Sequence, residues 1–554
     1  MNELNMNEPL NAPYKKGIAV APHHEAAKTM VRILQEGGNA IEAMVAGAAT
    51  IAAVYPHMNG IGGDGFWLIH EPRQSSGAPI AIDACGAAAG FGTTPATIDW
   101  YKSIGYEAIP TRGAHAANTV AGTVSGWDAA LTISKSWGGK LPLTALLEDA
   151  IRHCRDGIVI TQSQHASTAN KAAELTSQPG FAETFLVNHE APKAGATFKL
   201  PHLANTLEHL ARRGLSDFYR GELADSIARD LNKIGSPVSF ADLKKHEALY
   251  RDPLDYKHKL GTIYNTMPPT QGVVSLLILA ILDKLDTAAV PRMPALRALS
   301  PIGADYVHRC VEATKQAFAI RDKYITDPAQ MVVHPQSLLD DDIVAALAAK
   351  ISMGKAAPWG KKLHPGDTVW MGVIDGQGRA VSFIQSIYHE FGSAIVLPES
   401  GINWQNRGAS FSLNPDALLA LKPGKKPFHT LNPAMMLFAD GRTMPYGTMG
   451  GDGQPQTQAA VFTRIAEFGM NPQAAIDAPR WVLGRTWGGM SDSLKLERRF
   501  DDAVLNDLVR RGHDVEWLND WDESVGHAGV LIRAKDATLI GGYDRRSDGA
   551  VEGF

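Results

Sequence analysis

The stretch that decides the fold is Asp367-Thr368-Val369-Trp370-Met371-Gly372-Val373-Ile374-Asp375, where a helix-rich sequence gives way to strands. Its apolar and β-branched residues predict a strand, Gly376-Gln377-Gly378 predicts a turn, and residues 380–388 predict a second strand. We expect the two strands to form a hairpin in which Ser386 lies near enough in register to face the hydroxyl group of Thr368. We therefore expect the chemistry of this protein to lie where the first strand begins.

Helical patterns dominate the chain before this hairpin. The predicted elements are two packed helices within residues 26–54 with Asn39 as the N-cap of the second, helices at 143–155 and 203–213, a strand at 260–267, helices at 273–285 and 306–324, strands at 434–438 and 530–532, and a helix at 455–468. Residues 286–301, which contain three prolines, predict a surface linker. This order predicts a layered α/β body in which helices enclose the sheets.

A glycine-rich segment, Asn59-Gly60-Ile61-Gly62-Gly63-Asp64-Gly65, contains the spacing G-x-G-x-x-G. A dinucleotide-binding loop needs a strand before this spacing and a helix after it. Here the predicted order is reversed, with a helix before and a strand after. The segment therefore predicts a tight turn beneath the site, where glycine lets the backbone approach closely.

Composition excludes several classes of function. The 554 residues include 53 basic and 58 acidic side chains, and no long run of Lys or Arg occurs. A nucleic-acid partner or an anionic membrane surface is therefore not expected. The densest basic stretch, residues 422–426, predicts a solvated turn.

Cysteine content and the N-terminus point to an ordinary intracellular enzyme. Cys85, Cys154 and Cys310 are too few and too scattered for a disulfide framework or a zinc site, and we expect them to be buried. Residues 1–16 lack the apolar stretch of a secretory signal, and no apolar run reaches the ~20 residues that span a bilayer. We expect a cytoplasmic protein that uses no cofactor and no metal.

Two further segments join the hairpin in one chemistry. His429-Thr430 precedes Leu431-Asn432-Pro433, and Gly447-Thr448-Met449-Gly450-Gly451-Asp452-Gly453 forms a glycine-rich turn before a helix. With Asp367-Thr368, these residues resemble the γ-glutamyltransferase family of N-terminal nucleophile hydrolases. Matches in the same order extend over nearly the whole chain, at residues 59–66, 121–126, 155–157, 312–327, 375, 378, 391–392, 401–402 and 544–549.

The resemblance implies a four-layer αββα sandwich that matures by cutting itself. The cut falls between Asp367 and Thr368, so residues 1–367 become a large subunit and residues 368–554 a small subunit of one αββα body. The expected partners are these two subunits and a small-molecule substrate, and a dimer of such heterodimers is one assembly that the resemblance allows.

The cut would create both a nucleophile and a base. A threonine hydroxyl is a weak nucleophile unless a base removes its proton, and a freed α-amine with a pKa of ~7.7–8.0 can do so at neutral pH. The resemblance assigns the oxyanion donors to the backbone N–H groups of Gly450 and Gly451. Ser386 is expected to orient the hydroxyl of Thr368.

The substrate clamp departs from the family pattern. Cys85 stands where the family has an arginine for the substrate's α-carboxylate, and His429-Thr430 replaces a serine pair with the same task. Ala409-Ser410 replaces the acidic pair that grips the α-amino group. A zwitterionic substrate would leave buried charges unpaired, which disfavours glutathione-type substrates.

The replacement residues resemble the branch that contains oxamate amidohydrolase and related acylases. Arg407 is expected either to bind a substrate carboxylate bidentately or to lie on the surface as a loop arginine. His429 either donates to substrate or packs, and Asp452 either contacts the site or caps the helix that follows. Tyr388 stands where the family usually has asparagine, and we assign it with Thr430 to substrate binding.

These features imply an amidohydrolase for a small carboxylate-bearing amide, such as oxamate, that yields oxalate and ammonia through a threonyl acyl-enzyme. The alternatives are a γ-glutamyl hydrolase or transferase and an acylase of the cephalosporin or glutaryl type. A third hypothesis is an uncleaved, non-catalytic binding protein on the same scaffold.

We expect Thr368→Ala to remain one uncut and inactive chain, because it removes the hydroxyl that attacks. The wild-type protein should give fragments of residues 1–367 and 368–554 on a denaturing gel and by intact mass. An active mutant that stays uncut would contradict the assignment of Thr368.

Overall fold

The computed structural model describes residues 13–74, 77–287, 294–360, 366–484 and 491–554, with the backbone alone for Thr287 and Asp367. Its helices are α1 His24–Gln35, α2 Ala40–Val54, α3 Ile98–Ser103, α4 Thr123–Ser136, α5 Leu143–Leu146, α6 Glu148–Asp156, α7 Gln162–Leu175, α8 Phe181–Phe185, α9 Pro201–Arg213, α10 Asp217–Arg220, α11 Glu222–Ile234, α12 Phe240–Lys245, α13 Gly272–Thr287, α14 Ala304–Tyr324, α15 Asp341–Ala348, α16 Gln454–Ala466, α17 Pro472–Asp477 and α18 Asp502–Arg510. Short 3₁₀ turns lie at Leu296–Ala298, Pro328–Gln330, Pro335–Leu339, Arg407–Ser410, Gly451–Gly453 and Glu523–Val525.

The strands are β1 Gly17–Ala21, β2 Asp64–His70, β3 Ile80–Ala84, β4 Ile158–Val159, β5 Thr197–Phe198, β6 Leu249–Arg251, β7 Leu254–His258, β8 Gly261–Asn265, β9 Asp367–Asp375, β10 Ala380–Tyr388, β11 Ala434–Phe438, β12 Thr443–Thr448, β13 Trp481–Leu483, β14 Leu494–Glu497, β15 Val515–Leu518, β16 Ala528–Arg533, β17 Leu539–Tyr543 and β18 Ala550–Gly553. One large sheet has the order β18-β1-β9-β10-β2-β3-β6, and a second has the order β17-β16-β12-β11-β8-β7.

Side chains alternate along β9 between two hydrophobic layers, as the two-residue period of a strand requires. Val369, Met371 and Val373 pack with the helices that cover the first sheet. Trp370 and Ile374 face the second sheet, in a layer shared with β11 and β16. The same alternation places Thr368 on the face between the sheets.

The outer face of the second sheet packs on α13, α14 and α16. Helices therefore cover both sheets, and the predicted four-layer αββα sandwich is confirmed. Within the described part of the chain, no helix combines the length and the apolar character needed to cross a bilayer.

Trp370 sets the spacing of the two sheets next to Thr368. Its indole N–H donates to Ser382 Oγ at 3.0 Å, and its ring lies against Gly447 of β12 and Gly529 of β16. A Cβ atom at either glycine would overlap the ring. The ring thus fills the gap that the two glycines leave open.

Several local predictions are confirmed, and the helix cap is one of them. The Asn39 side chain caps α2 by accepting hydrogen bonds from the amides of Ile41 and Glu42. In return, the Asn39 amide donates to the Glu42 carboxylate. The hairpin, the order helix–glycine turn–strand around residues 59–65, and the three buried cysteines also agree with the sequence analysis.

Two predictions of secondary structure were wrong or fall partly outside the described residues. The helix predicted at residues 143–155 is two helices, α5 and α6, that meet at Leu147. In the predicted linker, Asp286 still belongs to α13 and accepts hydrogen bonds from Arg309 and from the Leu296 amide, and residues 288–293 lie outside the described ranges.

The predicted solvated turn at residues 422–426 is tied down by its lysines. The ammonium of the buried Lys425 donates to the carbonyls of Leu418 and Ala420. Lys426 donates to Asp83 Oδ2 at 2.7 Å. The basic stretch was misread because charge density alone does not show which carbonyls and carboxylates lie opposite.

Both sheets mix strands from the two sides of residue 367. β1 pairs with β9 and β18, β2 pairs with β10, and β8 pairs with β11. The expected large and small subunits therefore both contribute strands to each of the two large sheets.

We expect Gly529→Ala to lower the free energy of unfolding in urea by ~1–3 kcal/mol, because its methyl group overpacks against Trp370. Gly354→Ala is the matched control, since nothing lies within 4 Å of its added Cβ. Equal unfolding midpoints for the two variants would contradict the role of the indole as a spacer.

Candidate active site

The first element of the site is the open end of the β9–β10 hairpin. The register pairs Gln385 with Val369 and Tyr388 with Asp367, and a bulge between them leaves Ser386 across from Thr368. Both side chains are buried. Ser386 Oγ accepts the Tyr388 amide at 2.8 Å, which fixes the hydroxyl on the strand end. The structure therefore brings Thr368 and Ser386 together, as the sequence predicts.

The glycine-rich turn after β12 reaches the same place from the second sheet. Gly450 and Gly451 have φ values of 118° and 53°, which side chains rarely adopt. A Cβ atom on Gly451 would lie 2.7 Å from the Gly366 nitrogen, so this turn touches the chain two residues before Thr368. Within the described ranges, neither glycine amide donates a hydrogen bond to another residue.

Arg407 lies inside the molecule, so the alternative of a surface arginine was wrong. Its side chain is 0% exposed, and Nη2 donates to Ser386 Oγ at 3.3 Å. The guanidinium lies 4.1 Å above the Tyr388 ring, and no described residue accepts a hydrogen bond from Nε or Nη1. Burial lowers the pKa of Arg407 to about 10, so it stays charged at neutral pH.

The ring of Tyr388 packs against the guanidinium of Arg407. Its backbone has a φ of 85°, an uncommon value for a non-glycine residue. Burial raises the pKa of its hydroxyl to about 12, so the ring is neutral. The face of a neutral aromatic ring attracts a guanidinium, and we therefore assign Tyr388 to holding Arg407 in place.

His429 lies beside Arg407 and against Asp64. Its Nε2 is 3.0 Å from Asp64 Oδ2, off the direction of a hydrogen bond, and its ring packs edge-on to Phe66 at 5.0 Å. Burial first, and then Arg407, keep the pKa of His429 well below its usual range. The residue therefore packs as a neutral imidazole and also presents polar atoms to the site.

Asp64 and Gln271 are contributors that sequence reasoning missed. Asp64 pairs with Ser386 across β2 and β10. Gln271 donates to the carbonyls of Thr430 and Gly451, each at 2.8 Å, and so links two parts of the site. The signals were a carboxylate within a glycine turn and a polar residue directly before α13.

The N-cap residue of α16 is Gly453 and not Asp452, and the Asp452 carboxylate accepts from Arg321 Nη1 at 2.9 Å. This pair lies on the wall of a cavity of about 620 Å³ that also reaches Ala409 and Ser410. Its other lining residues are largely apolar and include Phe411, Leu413 and Phe428. The cavity therefore lies beside the glycine-rich turn, because Asp452 directly follows Gly451.

Asp64, Cys85 and His429 bring a carboxylate, a thiol and an imidazole within 4.8 Å of one another. These donor types suit zinc. However, Asp64 Oδ1 already accepts three hydrogen bonds, burial holds the Cys85 thiol protonated by raising its pKa, and the charge of Arg407 opposes a cation. This arrangement fits an anion better than a metal.

The family model described as Gamma-glutamyltranspeptidase matches residues 26–554. The chain belongs to the gamma-glutamyltranspeptidase family. It is an amide hydrolase with the sandwich of the N-terminal nucleophile class.

Three relatives show where the chain lies within this family. It is 55% identical to the oxamate amidohydrolase proenzyme of Klebsiella pneumoniae subsp. pneumoniae, over 97% of this chain and 98% of that protein. It is 39% identical to the glutathione hydrolase-like YwrD proenzyme of Bacillus subtilis, over 97% and 98% of the two chains. The crystal structure of cephalosporin acylase from Bacillus halodurans superimposes with a TM-score of 0.87 at 30% identity, over 100% and 99% of the two chains.

We expect Gly451→Ala to slow or block self-cleavage, because its methyl group would press on the Gly366 backbone and strain a positive φ. Gly453→Ala is the matched control, since the nearest atom to its added Cβ lies at 3.4 Å in ordinary contact. The measurement is the uncut fraction over time on a denaturing gel. Identical time courses would contradict the packing of this turn against the cleavage segment.

Proposed function

We propose that the chain is cut between Asp367 and Thr368 and then hydrolyses a small amide that carries a carboxylate, such as oxamate, to oxalate and ammonia. The observation that carries this proposal is the buried Arg407. Its Nε and Nη1 have no acceptor among the described residues, and it contacts the serine that lies across from Thr368. A buried cation with free donors is a preformed site for an anion.

Maturation begins within the precursor. The Thr368 hydroxyl attacks the Asp367 carbonyl, the acyl group moves from nitrogen to oxygen, and water hydrolyses the resulting ester. This leaves a carboxylate on Asp367 and a free α-amine on Thr368. The proenzyme names of the two relatives support this route.

Turnover uses the same oxygen. The α-amine of Thr368 takes the hydroxyl proton while the oxygen attacks the substrate amide carbon. The Gly450 and Gly451 amides donate to the developing oxyanion, and each such donor is worth ~3–4 kcal/mol of barrier. The amine returns the proton to the departing ammonia, and water then attacks the acyl-enzyme to release the second carboxylate.

Arg407, His429 and Thr430 form the carboxylate cradle. Thr430 Oγ1 and the His429 ring nitrogens are buried and make no hydrogen bond with the described residues, like two nitrogens of Arg407. Tyr388 supports the guanidinium from below. A carboxylate in this cradle orients the neighbouring amide toward Thr368, which explains why a short dicarboxylic monoamide suits the site.

An α-ammonium group finds no free carboxylate at the positions where the family has its acidic pair. Ala409 and Ser410 carry no charge, and Asp452 is already bound to Arg321. The site therefore disfavours γ-glutamyl substrates. The name of the Klebsiella relative, oxamate amidohydrolase proenzyme, supports a substrate without an ammonium group.

An acylase for larger side chains is the second candidate. The cavity of about 620 Å³, with Phe411, Leu413 and Phe428 on its wall, has more room than oxamate fills. The likeness to cephalosporin acylase favours the same candidate. Ammonia release from oxamate and succinamate, set against hydrolysis of glutaryl and γ-glutamyl p-nitroanilides, separates the candidates.

We expect Arg407→Met to lower kcat/KM for oxamate by two to three orders of magnitude, because losing one partner of a buried charge pair costs ~2–5 kcal/mol. The kcat/KM of Arg407→Lys should lie between the values of the wild type and Arg407→Met, since lysine keeps the charge without the bidentate fork. Acetamide, which has no carboxylate, is the matched control substrate. A loss of equal size on both amides would contradict carboxylate binding by Arg407.

A further inference from the structure

Two opposite charges are buried on the floor of the site without forming an ion pair. Asp64 and Arg407 are both 0% exposed, and each shifts the pKa of the other. No contact within 4.0 Å joins their charged atoms in the described part of the structure. The charges of Asp64 and Arg407 therefore balance when Asp64 is ionised, although Nε and Nη1 of Arg407 have no acceptor among the described residues.

The two oxygens of Asp64 have different surroundings. Oδ1 accepts the amides of Gly86 at 3.0 Å and Gly122 at 2.9 Å, and the side-chain amide of Gln405 at 3.1 Å. Oδ2 accepts no hydrogen bond from the described residues and lies 3.0 Å from His429 Nε2. The first oxygen holds two loops in place, and the second faces the cradle.

An anion beside Arg407 adds a negative charge next to Asp64. Burying an excess charge is costly unless it is paired or neutralised, and a nearby proton acceptor is the simplest remedy. The Asp64–His429 pair can hold that proton between Oδ2 and Nε2. The other ring nitrogen of His429, Nδ1, stays available to the substrate.

We propose that Asp64 sets the charge that this site accepts, because an anionic group binds beside Arg407 together with one proton that the Asp64–His429 pair takes up. Asp64 is a positioning residue, since it acts through His429 and not on the reacting atoms. The inference rests on the proposed function in taking this cradle as the substrate site.

Other titratable groups lie near the pair. Those that face Asp64 or His429 from neighbouring elements are Cys85, Tyr219, His246, and the Lys426–Asp83 ion pair. Burial raises the pKa values of the Cys85 thiol and the Tyr219 hydroxyl, and it lowers the pKa of His246 to about 3. Among these groups, the proton taken up on binding is therefore assigned to Asp64 and His429, and comparison with Asp64→Asn separates it from a proton on the Thr368 α-amine.

The direction of the pH effect follows from the protonation state of Asp64 before an anion binds. Burial raises the pKa of Asp64 to about 6, against the opposing hydrogen bonds and Arg407, so the carboxyl is ionised above that pH. A bound anion raises the affinity of the pair for a proton further. Anion binding therefore weakens as pH rises, by about tenfold per pH unit for one linked proton.

The test measures competitive inhibition of the mature enzyme by oxalate between pH 6.5 and 8.5. In the wild type, we expect the inhibition constant to rise about tenfold per pH unit. Asp64→Asn keeps an acceptor for the Gly86 and Gly122 amides. In this variant the slope of the logarithm of the inhibition constant against pH should fall by one, which corresponds to one linked proton. Oxalate should also bind at least about tenfold more tightly than to the wild type at pH 8.5. The α-amine of Thr368 is present in both proteins, so the difference isolates Asp64.

Asp375→Asn is the matched control. Asp375 is a buried aspartate at the far end of β9 that accepts the amides of Ala40, Gln377 and Arg379, so the same chemical change is made away from the cradle. Its pH slope should equal that of the wild type. A slope lost equally in both variants would overturn the assignment to Asp64.

Calorimetry of oxalate binding, in two buffers of different ionisation heat at pH 7.5, counts the protons directly in the wild type and in Asp64→Asn. Uptake by the wild type that is about one proton larger than uptake by Asp64→Asn supports the inference, because the Thr368 α-amine is present in both proteins. Binding to the wild type without uptake overturns the inference while leaving the proposed function intact. An enzyme that neither hydrolyses oxamate nor binds oxalate at any pH overturns the proposed function and this inference together.

Discussion

The contact of Trp370 with Gly447 and Gly529 is the constraint on which the site depends. The nucleophile candidate lies on the first sheet, and the glycine turn that faces it follows a strand of the second sheet. Their separation is therefore the separation of the sheets, which the buried indole sets two residues from Thr368. A catalytic constellation must be held within ~0.5 Å of its productive geometry. A side chain that fills the space between two glycines gives that precision without using a polar group.

A buried cation is the second costly feature, and its surroundings explain how it persists. Arg407 is held by the Tyr388 ring, by Ser386 Oγ and by the nearby charge of Asp64, but these contacts leave two nitrogens free. Tyr388 itself adopts an uncommon backbone conformation to lie under the guanidinium. Strain of this kind is found at ligand-binding sites, where the surrounding structure holds it in place. Binding of an anion would complete the hydrogen bonds that the protein alone leaves unmade.

The sequence predicted the features that depend on local patterns. Two apolar stretches around the turn at residues 376–378 predicted the hairpin, Asn39 predicted the cap, and the order of elements around residues 59–65 excluded a dinucleotide loop. It could not decide between two positions for Arg407, because burial depends on residues that are distant along the chain. For the same reason Lys425 and Lys426 were misread as solvated, and Asp64 was seen as part of a turn instead of as a charge facing His429.

The mixing of strands from both sides of residue 367 has a consequence for the lifetime of the enzyme. As one chain, the protein refolds by an intramolecular process. A cut between Asp367 and Thr368 would give two polypeptides, neither of which contains all the strands of either large sheet. An unfolded molecule would then have to find its partner again at a rate that depends on concentration. The stability of the uncut chain would be an equilibrium free energy of unfolding. After the cut, the lifetime of the active enzyme would be set by its rate of unfolding. The sandwich would therefore have to fold as one chain before the cut.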